Sequence, residues 1–92
     1  MSEDLSVAEG DGKLGKNIVI ANNGWVFIGL VTITKEWIEI DDCYVIRKWG
    51  TTKGLGQIAL SGPTKDTILD EAGIVRIKNN DRSVVAFIKC RH

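Results

Sequence analysis

The sequence predicts an all-β domain with one short helical turn, built as a small β-barrel or a two-layer sandwich of six to seven strands. Three observations carry that prediction. Short runs rich in Val, Ile, Trp, Phe and Tyr recur between clusters of Gly, Asn and Asp. One such run, from Trp25 to Thr34, is apolar on both faces, whereas a strand with one wet face alternates. Only the stretch from Leu55 to Leu60 carries helical spacing. With 92 residues, 43% of them hydrophobic, the chain can fill one small core and one domain.

Residues 1–15 read as a mobile acidic N-terminal tail, with Glu3, Asp4, Glu9 and Asp11 among glycines and no clear period. Leu5, Val7, Ala8 and Leu14 are the residues that could add a docking strand there. Residues 16–92 form the single β domain, with regular structure from about Asn17. Asn17 to Ala21 is a short β-rich run, and Asn22-Asn23-Gly24 supports a tight hairpin turn. The doubly apolar run that follows calls for a second layer, a closed barrel or another subunit. Gly29 in its middle marks a bulge, a bend or a close backbone approach.

Lys35-Glu36 turns the chain into Trp37–Ile40, with Ile38 and Ile40 inward and Trp37 and Glu39 outward. Asp41-Asp42 reads as a turn before the strand Cys43–Trp49. Period two puts Cys43, Val45, Arg47 and Trp49 on one face, and Tyr44, Ile46 and Lys48 on the other. Leu55, Ile58 and Ala59 form the inward stripe of one or two helical turns, which Gly62-Pro63 ends. Thr67–Asp70 is expected as a short edge strand, Ile74–Lys78 as another strand after Gly73, and Ser83–Lys89 as the last strand after the Asn79-Asn80-Asp81 turn.

Twelve Lys and Arg balance twelve Asp and Glu, so a broad basic surface that coats nucleic acid is not expected. Two cysteines, Cys43 and Cys90, are too few for a zinc site or a disulfide framework. Both lie in apolar strand patterns and read as buried free thiols, with a single bridge as the alternative. The start Ser2-Glu3-Asp4 lacks the basic and apolar regions of a secretory signal, and no run reaches membrane-spanning length, so an intracellular protein without membrane contact is expected.

The segment from Arg47 to Pro63 has a composition of its own. It holds four of the ten glycines, the only proline, and Arg47, Lys48, Trp49 and Lys53. Glycines free backbone N–H groups for an anion, the cations add charge, Thr adds hydroxyls and Trp offers a flat surface to a base. The combination suits a ligand with phosphates and bases; an irregular connection whose glycines only make turns is the plain alternative. Gly54-Leu55-Gly56-Gln57-Ile58-Ala59 matches the dinucleotide fingerprint formally, but the chain has no room for the βαβ unit it needs. The segment also lacks the Gly-Lys-Ser/Thr of a phosphate-binding loop. The only histidine, His92, is the last residue, which leaves no general base for a nucleophilic triad. Asp66, Asp70 and Glu71 read as solvated charge rather than metal ligands. A binding protein is expected, with no cofactor and no catalysis.

Trp25 reads as core or subunit contact, Trp37 as exposed or interfacial, and Trp49 as the ligand platform beside Arg47. Base stacking is worth roughly 1–3 kcal/mol, and a charged hydrogen bond to phosphate about 1.5–3 kcal/mol. Nanomolar affinity needs about 12 kcal/mol, which one exposed loop on one protomer does not supply against the entropic cost of binding. A tight site is therefore expected between subunits.

Trp25-Val-Phe-Ile-Gly29, Ile46-Arg47-x-Trp49-Gly50-Thr51, Gly54-Leu55-x-x-Ile58-Ala59-x-x-Gly62 and the strands around Ile74 and Val84 together resemble a group of small bacteriophage β-proteins, the phage anti-CBASS sponge proteins. The resemblance covers about residues 17–90. It implies a viral inhibitor of bacterial CBASS defence, acting in the cytoplasm of the infected host. It further implies a homo-oligomer, with a tetramer as the expected size, that sequesters a cyclic dinucleotide such as 3′,3′-cyclic GMP-AMP at subunit interfaces without hydrolysis. In that setting Arg47 and Lys53 would contact phosphates, Trp49 would stack on a base, Thr51, Thr52 and Gln57 would bond base or ribose edges, and Gly50, Gly54 and Gly56 would shape the loop. Two other readings use the same residues. One is a single-strand nucleic-acid or RNA-binding barrel, and the other is a phage structural or partner-binding module with no small ligand.

Overall fold

The computed structural model describes residues 12–91, so most of the expected acidic tail lies outside the described residues. Five strands and one helix follow in the order β1 (Lys13–Ala21), β2 (Val26–Ile33), β3 (Trp37–Lys48), α1 (Leu55–Ser61), β4 (Ile68–Lys78) and β5 (Val84–Lys89). All pairings are antiparallel, in one sheet of order β4-β3-β2-β1-β5. The all-β class with one short helix is as the sequence predicts, and the strand count is five rather than six or seven.

The difference has one physical cause. Asp41-Asp42 does not turn the chain; it bulges, with Asp42 at φ 50, and β3 runs through it. Gly73, at φ 74, likewise lies inside β4 and not between two strands. The two irregularities face each other across the β3–β4 ladder, where Cys43 pairs with Gly73. Each inserted residue reverses the side-chain alternation. Ile38 and Ile40 therefore share a core cluster with Cys43 and Val45, although their numbers differ in parity. In β4 the same reversal sends Leu69 to one face and Val75 and Ile77 to the other.

Gly29 is the counterpart in β2. A Cβ there would stand 2.7 Å from the Asp41 carbonyl oxygen and 3.1 Å from the Cys43 Cα. The bulged backbone of β3 occupies the space a side chain would take, so of the bulge, bend or close approach that the glycine signals, the structure shows the close approach.

The central strands carry buried residues on both faces, as the doubly apolar run of β2 requires, although Leu30 is 49% exposed. On one face α1 lays Leu55, Ile58 and Ala59 over Ile18, Ile28 and Ile46, with Cys90 closing the cluster. Gly62, at φ 90, ends α1 by donating its N–H to the Ile58 oxygen at 2.8 Å. The other face has no helix, yet Val19, Val31, Ile40 and Cys43 are almost fully excluded from solvent. Its cluster draws on all five strands, including Val75 and Ile77 of β4 and Val84 of β5, which are opposite edges of the sheet. The sheet thus curls over this second core like a barrel left open, since β4 and β5 do not pair.

Regular structure begins at Lys13, so residues 13–15 belong to β1 and not to the tail. Leu14 packs against the second core, and Gly15 at φ 75 takes up a register shift against β2. The buried Asn17 amide secures that bend by donating to the Leu14 and Gly15 carbonyl oxygens at 3.1 and 3.3 Å.

Gly29→Ala is expected to destabilise the fold by about 1–3 kcal/mol through forced overpacking against backbone that cannot retreat. Urea denaturation checks this, and the midpoint should fall with the slope unchanged.

Candidate functional site

The glycine-rich segment leaves the end of β3, forms the entry to α1 and returns toward β4. Its two ends are tied together. The Thr67 hydroxyl donates to the Trp49 carbonyl oxygen at 2.7 Å, and the Thr64 hydroxyl to the Gly50 oxygen at 2.6 Å. Gly50, at φ 63, runs so close to Asp66 that a Cβ would stand 2.3 Å from its carbonyl carbon. Glycine is required there by backbone packing.

The loop tip is braced from within. The Thr51 hydroxyl donates to the Gly54 oxygen at 2.9 Å. The Gln57 side-chain oxygen accepts the Lys53 N–H at 3.1 Å and the Thr52 hydroxyl at 3.2 Å. Gly54, at φ 79, opens α1 with the Trp49 ring alongside, 3.7 Å from where its Cβ would be. A hollow of about 550 Å³ lies against this tip, lined by Thr52, Lys53, Gly56, Gln57, Leu60 and Ser61, with no acidic residue.

The structure therefore brings Thr52, Lys53 and Gln57 together, with Trp49 and Gly54 adjacent to each other. Thr51 and Gly50 serve the loop's own architecture. Arg47 is directed elsewhere: its Nε donates to Asp70 at 2.7 Å, in an exposed ion pair between β3 and β4. Such a pair in water contributes about 0–1 kcal/mol, so the guanidinium can be drawn to another anion at little cost.

All three tryptophans are exposed. Trp49 shows 46% of its surface and Trp37 41%. Trp25, expected in a core or subunit contact, is 54% exposed in the protomer. It precedes β2 at the hairpin exit, at the end of the sheet, and its ring stacks on Phe27 with centroids 5.9 Å apart. Beside it lies a cleft that sequence reasoning missed, of about 470 Å³, between the β1–β2 hairpin and the last half of β4. No sequence signal marks it, because its walls come from segments far apart in the chain, the β1–β2 hairpin and the end of β4.

Both cysteines are free and buried. Burial raises the Cys43 thiol from an ordinary 9.0 to about 11, against a smaller lowering by a backbone hydrogen bond from Ile28. Burial also raises Cys90, with the charges of Lys16 and Lys89 pulling the other way. Neither thiol is a nucleophile at neutral pH. Among the described residues no three His, Cys, Asp or Glu side chains come together to hold a metal, and no helix is long and apolar enough to cross a membrane. No family model, curated protein or solved structure matches the chain. What fold and loop define is a class: a small protein with an open, curled β-sheet and an internally braced basic loop.

Because the folded Cys43 thiol holds its proton more tightly than the unfolded one, its contribution to stability is complete below pH 9.0 and is lost as pH rises toward about 11. Thermal unfolding between pH 8 and 11 should therefore fall more steeply for the wild type than for Cys43→Val.

Proposed function

We propose that this protein binds a cyclic dinucleotide of the 3′,3′-cyclic GMP-AMP kind at the loop between β3 and α1, and sequesters it without cutting it. The carrying observation is the exposed Trp49 indole beside a basic loop tip that is already held by its own hydrogen bonds. A loop ordered before binding loses little entropy when it takes a ligand. Trp49 offers a stacking face, and Lys53 brings a cation to a hollow free of carboxylates. Arg47 joins by exchanging Asp70 for a phosphate.

The resemblance to the phage sponge proteins supplies the setting: a viral inhibitor of CBASS defence in the cytoplasm of the infected bacterium. A sponge acts by mass action, so it has to be abundant and bind more tightly than the host effector. A homo-oligomer, with a tetramer as the expected size, would let loops of two protomers hold one ligand and so reach the affinity that a single open hollow does not. A second reading, a partner-binding structural module, is favoured by the edge strands, where Ile74 of β4 and Val85 of β5 are 61% and 68% exposed.

A thermal-shift screen against cyclic di- and trinucleotides and linear dinucleotides tests the proposal. One cyclic class should raise the melting temperature, and the ligand should be recovered intact after heating. At a hundredfold excess over Kd the stabilisation is about 2.7 kcal/mol. No shift with any of them would leave the module reading.

Trp49→Ala should weaken binding by about 1–3 kcal/mol, the usual worth of a stacked base. Arg47→Ala should abolish it while lowering the melting temperature of the free protein by no more than about 5 °C, because its ion pair with Asp70 is exposed. Calorimetric titration of both variants checks these values, and wild-type affinity in Arg47→Ala would remove that residue from the site.

A further inference from the structure

We propose that the cleft beside Trp25 is a second binding site, for a planar aromatic ring that carries an anionic oxygen group, either carboxylate or phosphate. The inference does not rest on the reading of the β3–α1 loop, since the two hollows share no lining residue. The cleft, about 470 Å³, falls within the roughly 300–1,000 Å³ of small-molecule sites.

Its apolar lining comes from Phe27, Val75 and Ile77, which belong to the second core. The Trp25 ring extends that surface outward. It stacks on Phe27 at an interplanar angle of 23° while more than half of its own surface is open, so it presents an aromatic wall in reach of a flat ligand. Rings prefer such offset or tilted stacking on an exposed indole.

The polar groups of the cleft are arranged as donors. The Asn23 side-chain oxygen accepts the Trp25 N–H at 3.2 Å, and the Asn80 side-chain oxygen accepts the Arg82 N–H at 2.9 Å. Because a backbone N–H only donates, these bonds fix which end of each amide is committed. Among the described residues both NH₂ ends are left for another acceptor. Arg82 also lines the cleft, its guanidinium makes no ion pair among the described residues, and the lining contains no carboxylate. Arg76, the other cation there, is already paired with Glu39 at 2.9 Å. Two amide donors and a guanidinium without an ion-pair partner among the described residues, around an aromatic wall, select an acceptor-rich, negatively charged edge on a flat ring.

Two-dimensional ¹H–¹⁵N NMR of the full chain tests this with four probes: guanosine 5′-monophosphate, indole-3-acetate, uncharged guanosine and inorganic phosphate. The indole N–H of Trp25 and the side-chain amides of Asn23 and Asn80 should shift and saturate with one or both aromatic anions. Which of the two saturates tells phosphate from carboxylate. Arg82→Ala, which keeps the backbone N–H bonded to Asn80, should weaken binding at least tenfold, and Trp49→Ala should leave it unchanged. The proposal is overturned by equal shifts from phosphate alone, by equal shifts from guanosine, by wild-type affinity in Arg82→Ala, or by silence of these three signals with every probe. Loss of binding in Trp49→Ala would overturn it too, and would place the ligand at the loop instead.

Discussion

The fold depends on one irregularity shared by three strands. Asp41-Asp42 in β3 and Gly73 in β4 bulge opposite each other, and Gly29 in β2 leaves the room they need. A strand without a bulge would keep strict alternation, and Cys43 and Val45 would face away from Ile38 and Ile40. With it, all four feed one core. Bulges also increase local twist, and the long strands β3 and β4 bend there. The bend brings Val75 and Ile77 toward β1 and β5, so a five-stranded sheet covers its own second face.

That constraint explains why so small a chain buries both sides of its central strands. One core is closed by α1 and the other by curvature. The hydrophobic gain on the helix side centres on Ile58 of α1 and Ile18 of β1, both fully buried. On the curled side it is spread over residues from every strand, with the buried Cys43 at the bulge itself. The open sheet is the consequence: β4 and β5 remain unpaired edges, and a cleft with an aromatic wall and donor groups lies between the β1–β2 hairpin and the last half of β4.

The glycine-rich loop belongs to the same economy of backbone. Threonines 64 and 67 return to bond the carbonyls of Gly50 and Trp49, so the chain leaving β3 and the chain approaching β4 form one braced unit. The residues that make it rigid, Gly50 and Thr51 above all, are among those that the sequence presents as ligand contacts. Composition does not separate a threonine that holds a loop from one that holds a ligand, because both uses call for the same hydroxyl. What differs is the partner, and the partner is set in three dimensions.

By itself the sequence determined the all-β class, the hairpin at Asn22-Asn23-Gly24, the stripe of Leu55, Ile58 and Ala59, the inward Ile38 and Ile40, an irregularity at Gly29 and the burial of both cysteines. These are local: each follows from period, turn chemistry or the cost of exposing apolar surface within a few residues. Tertiary structure alone decided that Asp41-Asp42 and Gly73 are bulges and not turns, that Arg47 meets Asp70, and that Trp25 lines a cleft. Each of these depends on residues far apart in the chain, and a bulge differs from a turn only in whether a neighbouring strand continues to pair beyond it.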